Sequence, residues 1–136
     1  MIRVLLCCGG GFSSSYVAER MKKEIVEKHL DQKLYMEFSP FSIAYERLDD
    51  FDIIVCCPHL NMYVNQFIKE YDVKIPIYVL PPRMYGNMEI DEIYQDVQDL
   101  LVIYEDTHMN PVHFPGEDHV LKIKRHKAYK HVCRTS

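Results

Sequence analysis

A cysteine-containing loop joins two segments with different hydrophobic patterns, and this junction constrains the fold more than any other feature. Residues 2–7 form a short, mostly apolar run, which is typical of a parallel strand covered on both faces. From Ser13 onward, Val17, Met21 and Ile25 recur every four residues, which predicts an amphipathic helix. The loop between them comprises Cys8, Gly9, Gly10, Gly11, Phe12, Ser13, Ser14 and Ser15. The sequence therefore predicts a strand, a glycine-rich turn and a helix in direct succession.

This loop has the composition of an anion-binding site with a nucleophile at its start. Its backbone N–H groups and the positive end of the following helix are expected to converge at Cys8. The glycines permit the positive φ angles that a nest of N–H donors needs, and the serines add hydroxyl donors and an N-cap. Such surroundings favour thiolate over thiol. The alternative, a small buried cysteine in a structural turn, would not require this set of donors.

Strand and helix patterns alternate along the rest of the chain. Three further predicted strands cover residues 33–38, 52–57 and 75–80. Helical patterns occupy residues 41–48 and 60–71, and Asn87 is predicted to cap a last helix. The predicted core face of that helix comprises Ile90, Ile93, Val97, Leu100, Leu101 and Tyr104.

This alternation predicts an α/β domain with a four-stranded parallel sheet, doubly wound, with helices on both faces. Ligands of such sheets bind at the carboxyl ends of the strands. The loops that begin at Cys8, Cys57 and Pro81 are therefore expected to converge on the functional site.

Composition favours one compact domain in a reducing compartment. The chain has 136 residues, of which 48% are hydrophobic, enough for a single core. No apolar stretch reaches the length of a membrane span, and the first apolar run lacks the pattern of a signal peptide. The adjacent pairs Cys7-Cys8 and Cys56-Cys57 differ from the spaced cysteines of a secreted disulfide framework. A cytosolic protein is expected, without a metal site, because no C-x-x-C pair supplies ligands.

Charge divides the chain into an acidic body and a basic tail. Six of the 16 Lys and Arg residues, but only two of the 20 Asp and Glu residues, lie in residues 110–136. An acidic body disfavours nucleic acid as a partner. We expect residues 1–109 to form the domain and residues 110–136 to form a solvated basic extension. The alternative is that the extension docks to the acidic body, a partner protein or anionic lipid.

A thiolate in a phosphate-binding loop fits two chemistries, which residue 14 separates. A cysteine-dependent tyrosine phosphatase has the pattern C-x5-R-[ST], whose arginine binds phosphate through two hydrogen bonds. Counted from Cys8, the arginine position is occupied by Ser14. Without that guanidinium, phosphatase or arsenate reductase activity is disfavoured.

The same segments resemble enzyme IIB of the lactose/cellobiose type of sugar phosphotransferase system. That family has a strand, the loop C-S-A-G-M-S-T-S and a helix, where this chain has C-G-G-G-F-S-S-S. The matching positions are Cys8, Gly11, Ser13 and Ser15. Residues 52–59, DIIVCCPH, resemble the family's third strand ending in Gly-Pro-Gln, and residues 84–86, MYG, resemble its Tyr-Gly after strand four. The resemblance covers residues 1–106.

The resemblance implies a fold similar to the low-molecular-weight tyrosine phosphatases, with strand order 2-1-3-4. It implies a relay in which a phosphohistidine on a IIA protein gives its phosphoryl group to Cys8, which passes it to a sugar bound in the membrane component IIC. The backbone from Gly9 to Ser15 is then expected to hold the phosphoryl oxygens. A sugar of the β-glucoside or disaccharide class is expected, without a cofactor. The protein is expected to be cytoplasmic and to meet the membrane through IIC.

An alternative within the same fold is a regulatory binding module that signals sugar supply to another protein. Such a module would use the basic tail as its interface.

Three residues near the predicted site are candidates for an auxiliary role. His59 stands where the family has Gln, and it either helps to neutralise phosphate or merely begins a helix. Tyr85 follows strand four, where its hydroxyl either reaches the phosphate or packs. Arg83 is the cation nearest the predicted site and a candidate for binding the phosphoryl group or a partner.

Other positions depart from the family without suggesting a role. They are Gly9, Gly10, Phe12 and Cys57, where the family has Ser, Ala, Met and Gly. Cys7 is expected to lie in the strand core, and a redox pair with Cys8 is the alternative.

Overall fold

Strands and helices alternate along the chain, as the sequence predicts. The structure is a computed structural model that describes residues 1–8, 13–87, 89–115, 117, 123, 125 and 127–129; for residues 8, 13–18, 86 and 87 it describes the backbone alone. The strands are β1 (Ile2–Cys8), β2 (Leu34–Pro40), β3 (Ile53–Cys56) and β4 (Ile77–Val79). The α-helices are α1 (Ser13–Glu27), α2 (Asn61–Tyr71), α3 (Pro82–Asn87) and α4 (Ile90–Thr107). Two 3₁₀ helices cover Phe41–Asp50 and Pro58–Leu60.

The four strands form one parallel sheet in the order β2-β1-β3-β4. β1 is a central strand, and its Leu6 lies opposite Phe38 of β2 on one side and Val55 of β3 on the other. The predicted α/β class and the strand order 2-1-3-4 are both confirmed. β1 and β3 are therefore neighbours, which brings their carboxyl ends to one edge of the sheet.

Alternate residues of β1, β3 and β4 enter two separate core clusters, one on each face of the sheet. Val4 and Leu6 pack in a cluster that contains Met21 of α1 and Ile93 of α4. Leu5 and Cys7 pack in a second cluster, whose helical members include Ala44 of the first 3₁₀ helix, and Val64 and Phe67 of α2. These three strands are buried on both faces, which explains why they read as continuous apolar runs. In β2 only one face is buried, and its burial alternates, with Tyr35 exposed.

Two local predictions differ from the structure. Asn87 does not cap the last helix: it ends α3, and Glu89 is the N-cap of α4, without a side-chain capping hydrogen bond. The sequence does not predict helix α3, because it starts at the second residue of the pair Pro81-Pro82, and paired prolines are typical of a loop. Proline is tolerated at the first position of a helix, where its missing N–H has no partner to lose.

The segment after α4 runs along the edge of the sheet. The N–H of Val112 donates to the carbonyl of Ile77 in β4 at 2.9 Å, and the N–H of Ile77 donates to Oδ1 of Asn110 at 2.8 Å. Val112 and Phe114 are only 1% and 3% exposed. This segment covers the otherwise open backbone of the edge strand β4.

The tail also packs on the body further along. Ala128 is fully buried, and Arg125 reaches a buried carboxylate, Asp96 of α4. The expectation of a solvated extension is therefore wrong for these described residues, and docking to the acidic body is the interpretation that fits them. The division at residues 109 and 110 stays a prediction.

Candidate functional site

The loops that the sequence predicted to converge follow neighbouring strands. β1 ends at Cys8, β3 is followed by the 3₁₀ helix Pro58–Leu60, and β4 is followed by α3. Because these strands are parallel, their carboxyl ends share one edge, where ligands of doubly wound sheets bind.

Cys8 occupies the last position of β1, where its backbone pairs with Pro40 of β2. The N-terminal turn of the 15-residue helix α1 begins at Ser13, so the positive end of a full-length helix follows the loop. The predicted phosphate-binding residues Gly9, Gly10, Gly11 and Phe12 lie outside the described residues, and so do the side chains of Cys8, Ser13, Ser14 and Ser15. The role of this loop therefore remains a prediction.

Two of the three auxiliary candidates lie together at this edge. The rings of His59 and Tyr85 meet edge to face, with their centroids 6.2 Å apart. Both residues line a cavity of about 460 Å³. Its other described lining residues are Pro58, Asn61, Met62 and Pro82. The cavity thus joins the loop after β3 to the start of α3.

The third auxiliary candidate, Arg83, lies away from this cavity. Arg83 is exposed on α3, and it is not among the described residues that line this cavity. Met62, by contrast, was not singled out in the sequence, although 80% of its surface is exposed at the cavity. Its position off the stripe of Val64, Phe67 and Ile68 is the signal that could have identified it.

The cysteines at the ends of β1 and β3 differ in chemical state. Cys7 and Cys56 are fully buried free thiols. Burial raises the pKa of Cys7 to about 12, and burial, with a smaller contribution from Cys7, raises the pKa of Cys56. The core role expected for Cys7 is confirmed. Cys57, also fully buried, takes part in a disulfide bond, which its sequence pattern does not predict.

One described group of carboxylates has the spacing of a cation site. Oxygen atoms of Glu89, Asp91 and Glu92 lie within 4.8 Å of one another at the start of α4. Asp91 accepts a hydrogen bond from Lys28 at 2.8 Å, and Glu92 accepts one from the N–H of Ala128 at 2.8 Å. These contacts link α4 to α1 and to the tail, which gives two of the three acids a structural role.

Within the described part of the chain, no helix has both the length and the apolar character required to cross a bilayer.

Fold and edge geometry together define an α/β domain of the low-molecular-weight phosphatase type, with its candidate site at the carboxyl ends of β1, β3 and β4. The family model for the PTS system, lactose/cellobiose-specific IIB subunit, matches residues 3–96. The chain belongs to this family, because the match covers more than half of it. Membership supports a phosphotransferase role in sugar transport and partnership with IIA and IIC components in general.

Two solved structures are similar to this chain. The cellobiose-specific phosphotransferase IIB component from Borrelia burgdorferi is 25% identical, with a TM-score of 0.53 over 69% of this chain and 85% of that chain. The lactose-specific IIB domain of the phosphoenolpyruvate:carbohydrate phosphotransferase system from Streptococcus pneumoniae is 15% identical, with a TM-score of 0.44 over 57% of this chain and 74% of that chain. No curated protein matches the chain.

Proposed function

We propose that this chain is a phosphocarrier that accepts a phosphoryl group from a IIA phosphohistidine on Cys8 and passes it to a sugar bound in IIC. The observation that carries the proposal is the position of Cys8. It ends a central strand of the sheet and precedes a full-length helix, within the segment that matches the IIB family. The proposed sugar class is the β-glucosides and related disaccharides, in keeping with the family description.

The proposed reaction consists of two displacements at phosphorus. In the first, the Cys8 thiolate attacks, an S–P bond forms and the N–P bond of phosphohistidine breaks, leaving the imidazole to take up a proton. In the second, a sugar hydroxyl attacks, the S–P bond breaks, the thiolate leaves and the hydroxyl proton is lost to a base. In both steps charge develops on the phosphoryl oxygens, which N–H donors can stabilise.

We assign that stabilisation to the backbone from Gly9 to Ser15 and to the start of α1. A helix N-terminus offers free N–H groups and a favourable dipole to an anion. Ser14 occupies the position of the phosphatase arginine, so the loop lacks the guanidinium that stabilises phosphoryl transfer to water. This supports a phosphocarrier rather than a phosphatase.

We assign His59 and Tyr85 an auxiliary role and give Arg83 none. The support is their shared position on the cavity at the carboxyl edge, which Arg83 does not line. An exposed imidazole and a phenolic hydroxyl are both hydrogen-bond donors suited to phosphate.

We further propose that IIA and IIC dock at this edge from the cytoplasmic side, with membrane association through IIC. Both partners must reach the same sulfur, so they bind in turn. The exposed side chain of Met62 beside the cavity supports this assignment, because thioether side chains adapt to different protein surfaces.

The proposal is tested by loading and discharge of purified protein. Incubation with a phosphorylated IIA protein of the lactose/cellobiose type is expected to add the mass of one phosphoryl group. Membranes that contain IIC and a β-glucoside are expected to remove it. Cys8→Ser should abolish loading, whereas Cys7→Ala, the matched control on the neighbouring residue, should load normally. Normal loading of Cys8→Ser would refute the proposal.

The regulatory module is the second candidate, and the packing of the tail weighs against it. That candidate uses the tail as an interface, yet the described residues Val112, Phe114, Arg125 and Ala128 contact the body of the same chain. Sugar uptake measured with the tail mutant Lys127→Ala separates the two. A change in regulation without a change in phosphoryl loading would favour the module.

A further inference from the structure

The register of β1 and β3 places cysteine positions side by side. Cys7 lies opposite Cys56, and the N–H of Cys57 donates to the carbonyl of Cys7 at 3.1 Å. The next positions are 8, which ends β1, and 57, which directly follows β3 with an extended backbone. Neighbouring strands are about 4.8 Å apart, which lies within the Cα separation of about 4.4–6.8 Å that a disulfide spans.

The alternation of the strands assigns positions 8 and 57 to one face of the sheet. Leu6 and Val55 are register partners in the first core cluster, and Cys7 and Cys56 are register partners in the second. Successive residues of an extended backbone alternate between faces, and Cys57 is still extended, so positions 8 and 57 belong to the same face as Leu6 and Val55.

The chemical state of the other cysteines limits the candidates for the disulfide partner of Cys57. The chain has five cysteines, Cys57 takes part in a disulfide, and Cys7 and Cys56 are free thiols. The remaining cysteines are Cys8 and Cys133, and the strand register favours Cys8. We infer that Cys57 is the resolving thiol of Cys8, so that oxidation joins the two in a reversible disulfide.

Hydrogen peroxide is the chemical class of oxidant that this step requires. The Cys8 thiolate attacks one peroxide oxygen, the O–O bond breaks, and a sulfenic acid and hydroxide form. The Cys57 thiol then attacks the Cys8 sulfur, an S–S bond forms, the S–O bond breaks and water leaves. The two thiols lose two electrons to the peroxide, which ends as two waters. A dithiol reductant reverses the step by two thiol–disulfide exchanges.

The register explains why Cys57, rather than Cys56, resolves Cys8. Cys56 lies opposite Cys7 in the second core cluster, and both of these cysteines are free thiols. Position 57 is one residue further along and therefore belongs to the other face, with position 8.

The consequence for phosphoryl transfer rests on the proposed function. A Cys8 sulfur in a disulfide cannot accept phosphate, and a phosphorylated sulfur cannot be oxidised. Peroxide would therefore stop sugar phosphorylation reversibly, while the disulfide would protect Cys8 from irreversible oxidation to sulfinic acid.

The disulfide is tested without any phosphoryl donor. The full chain is reduced, treated with equimolar hydrogen peroxide, quenched with N-ethylmaleimide, digested with trypsin and analysed by mass spectrometry. The expected product joins the peptide of residues 4–20 to that of residues 48–69. Cys57→Ser and Cys8→Ser should lose it, whereas the controls Cys56→Ser and Cys133→Ser should keep it. A bond from residues 48–69 to residues 131–134, or a joined product that persists in Cys57→Ser, would overturn the inference.

A second measurement addresses regulation separately. After treatment with excess peroxide, wild-type protein should lose phosphoryl loading and regain it with dithiothreitol, while Cys57→Ser should lose loading without recovery, because a second peroxide oxidises its Cys8 sulfenic acid to sulfinic acid. Unchanged loading in protein with a mapped disulfide would contradict the regulatory consequence. Absence of loading in fully reduced protein would count against the proposed function alone, since the peptide mapping is independent of it.

Discussion

Arg125 Nη1 lies 2.8 Å from Oδ2 of Asp96, and the two side chains are only 6% and 0% exposed. The same guanidinium donates to Glu117 at 2.6 Å, and the hydroxyl of Tyr78 donates to Asp96 at 2.5 Å. Burial raises the pKa of Asp96, and the nearby positive charge of Arg125 opposes that rise. The parallel rings of Phe114 and Tyr129, with centroids 4.4 Å apart, each lie under the same guanidinium. These contacts of Arg125 connect the tail to α4 and β4.

Replacement of Arg125 is expected to destabilise the fold. Arg125→Met retains most of the apolar stem but leaves Asp96 as an unpaired buried carboxylate, and loss of one partner of such a pair costs about 3–5 kcal/mol. The free energy of unfolding should fall by that amount in urea titrations. Lys127→Ala is the matched control on an exposed tail lysine, with an expected change below about 0.5 kcal/mol. Equal stability of the two variants would show that the buried pair does not hold the tail.

Removal of residues 110–136 is expected to destabilise the domain more than Arg125→Met does. Truncation also loses the burial of Val112 and Phe114, each worth about 1.5–3 kcal/mol, and uncovers the edge of β4. Thermal unfolding followed by circular dichroism should give a much lower midpoint or no cooperative transition. A fragment of residues 1–109 that melts near the full chain would instead support the predicted domain boundary.

The sequence was sufficient to predict the fold because β1, β3 and β4 are buried on both faces. Continuous apolar runs such as residues 52–57 mark such strands, and the amphipathic period after Ser13 marks the first crossover helix. The tail contact was harder to predict. Arg125 stands among lysines, and its charge alone does not reveal a buried partner 29 positions earlier.

The candidate site was predicted in part. The order of the strands places the loops after β1, β3 and β4 at one edge, and so His59 and Tyr85 come together. Arg83 is separated from their cavity because it lies on α3. That helix begins at Pro82, and a pair of prolines does not predict the start of a helix. The disulfide at Cys57 depends on a contact with another cysteine of the folded chain, which local sequence pattern does not encode.

The two buried free thiols are expected to resist alkylation in the folded protein. With a pKa of about 12 for Cys7, only about one thiol in 10,000 is ionised at pH 8, and the thiolate fraction rises about tenfold for each pH unit. N-ethylmaleimide at pH 8 should therefore leave Cys7 and Cys56 unmodified in native protein and modify both in denaturant. Rapid labelling of either thiol in the native state would contradict their placement in the core.

His59 and Arg83 are expected to differ in their effect on phosphoryl loading. His59→Ala removes a donor from the cavity at the carboxyl edge and should slow loading about tenfold, or about 1.4 kcal/mol in activation free energy. Arg83→Ala removes an exposed charge outside that cavity and should change the rate less than about twofold. Initial rates with a phosphorylated IIA protein provide the measurement. A larger effect of Arg83→Ala would place the auxiliary role on α3 instead.

The central claim is that Cys8 carries the phosphoryl group, and site-localising mass spectrometry of the loaded protein tests it most directly. The tryptic peptide of residues 4–20 contains Cys7, Cys8 and the three loop serines, so fragmentation between them identifies the modified atom. We predict one phosphoryl group on Cys8 and none on the other residues of that peptide. A phosphoryl group on a loop serine or on His59, or a loaded protein with an unmodified Cys8, would contradict the account.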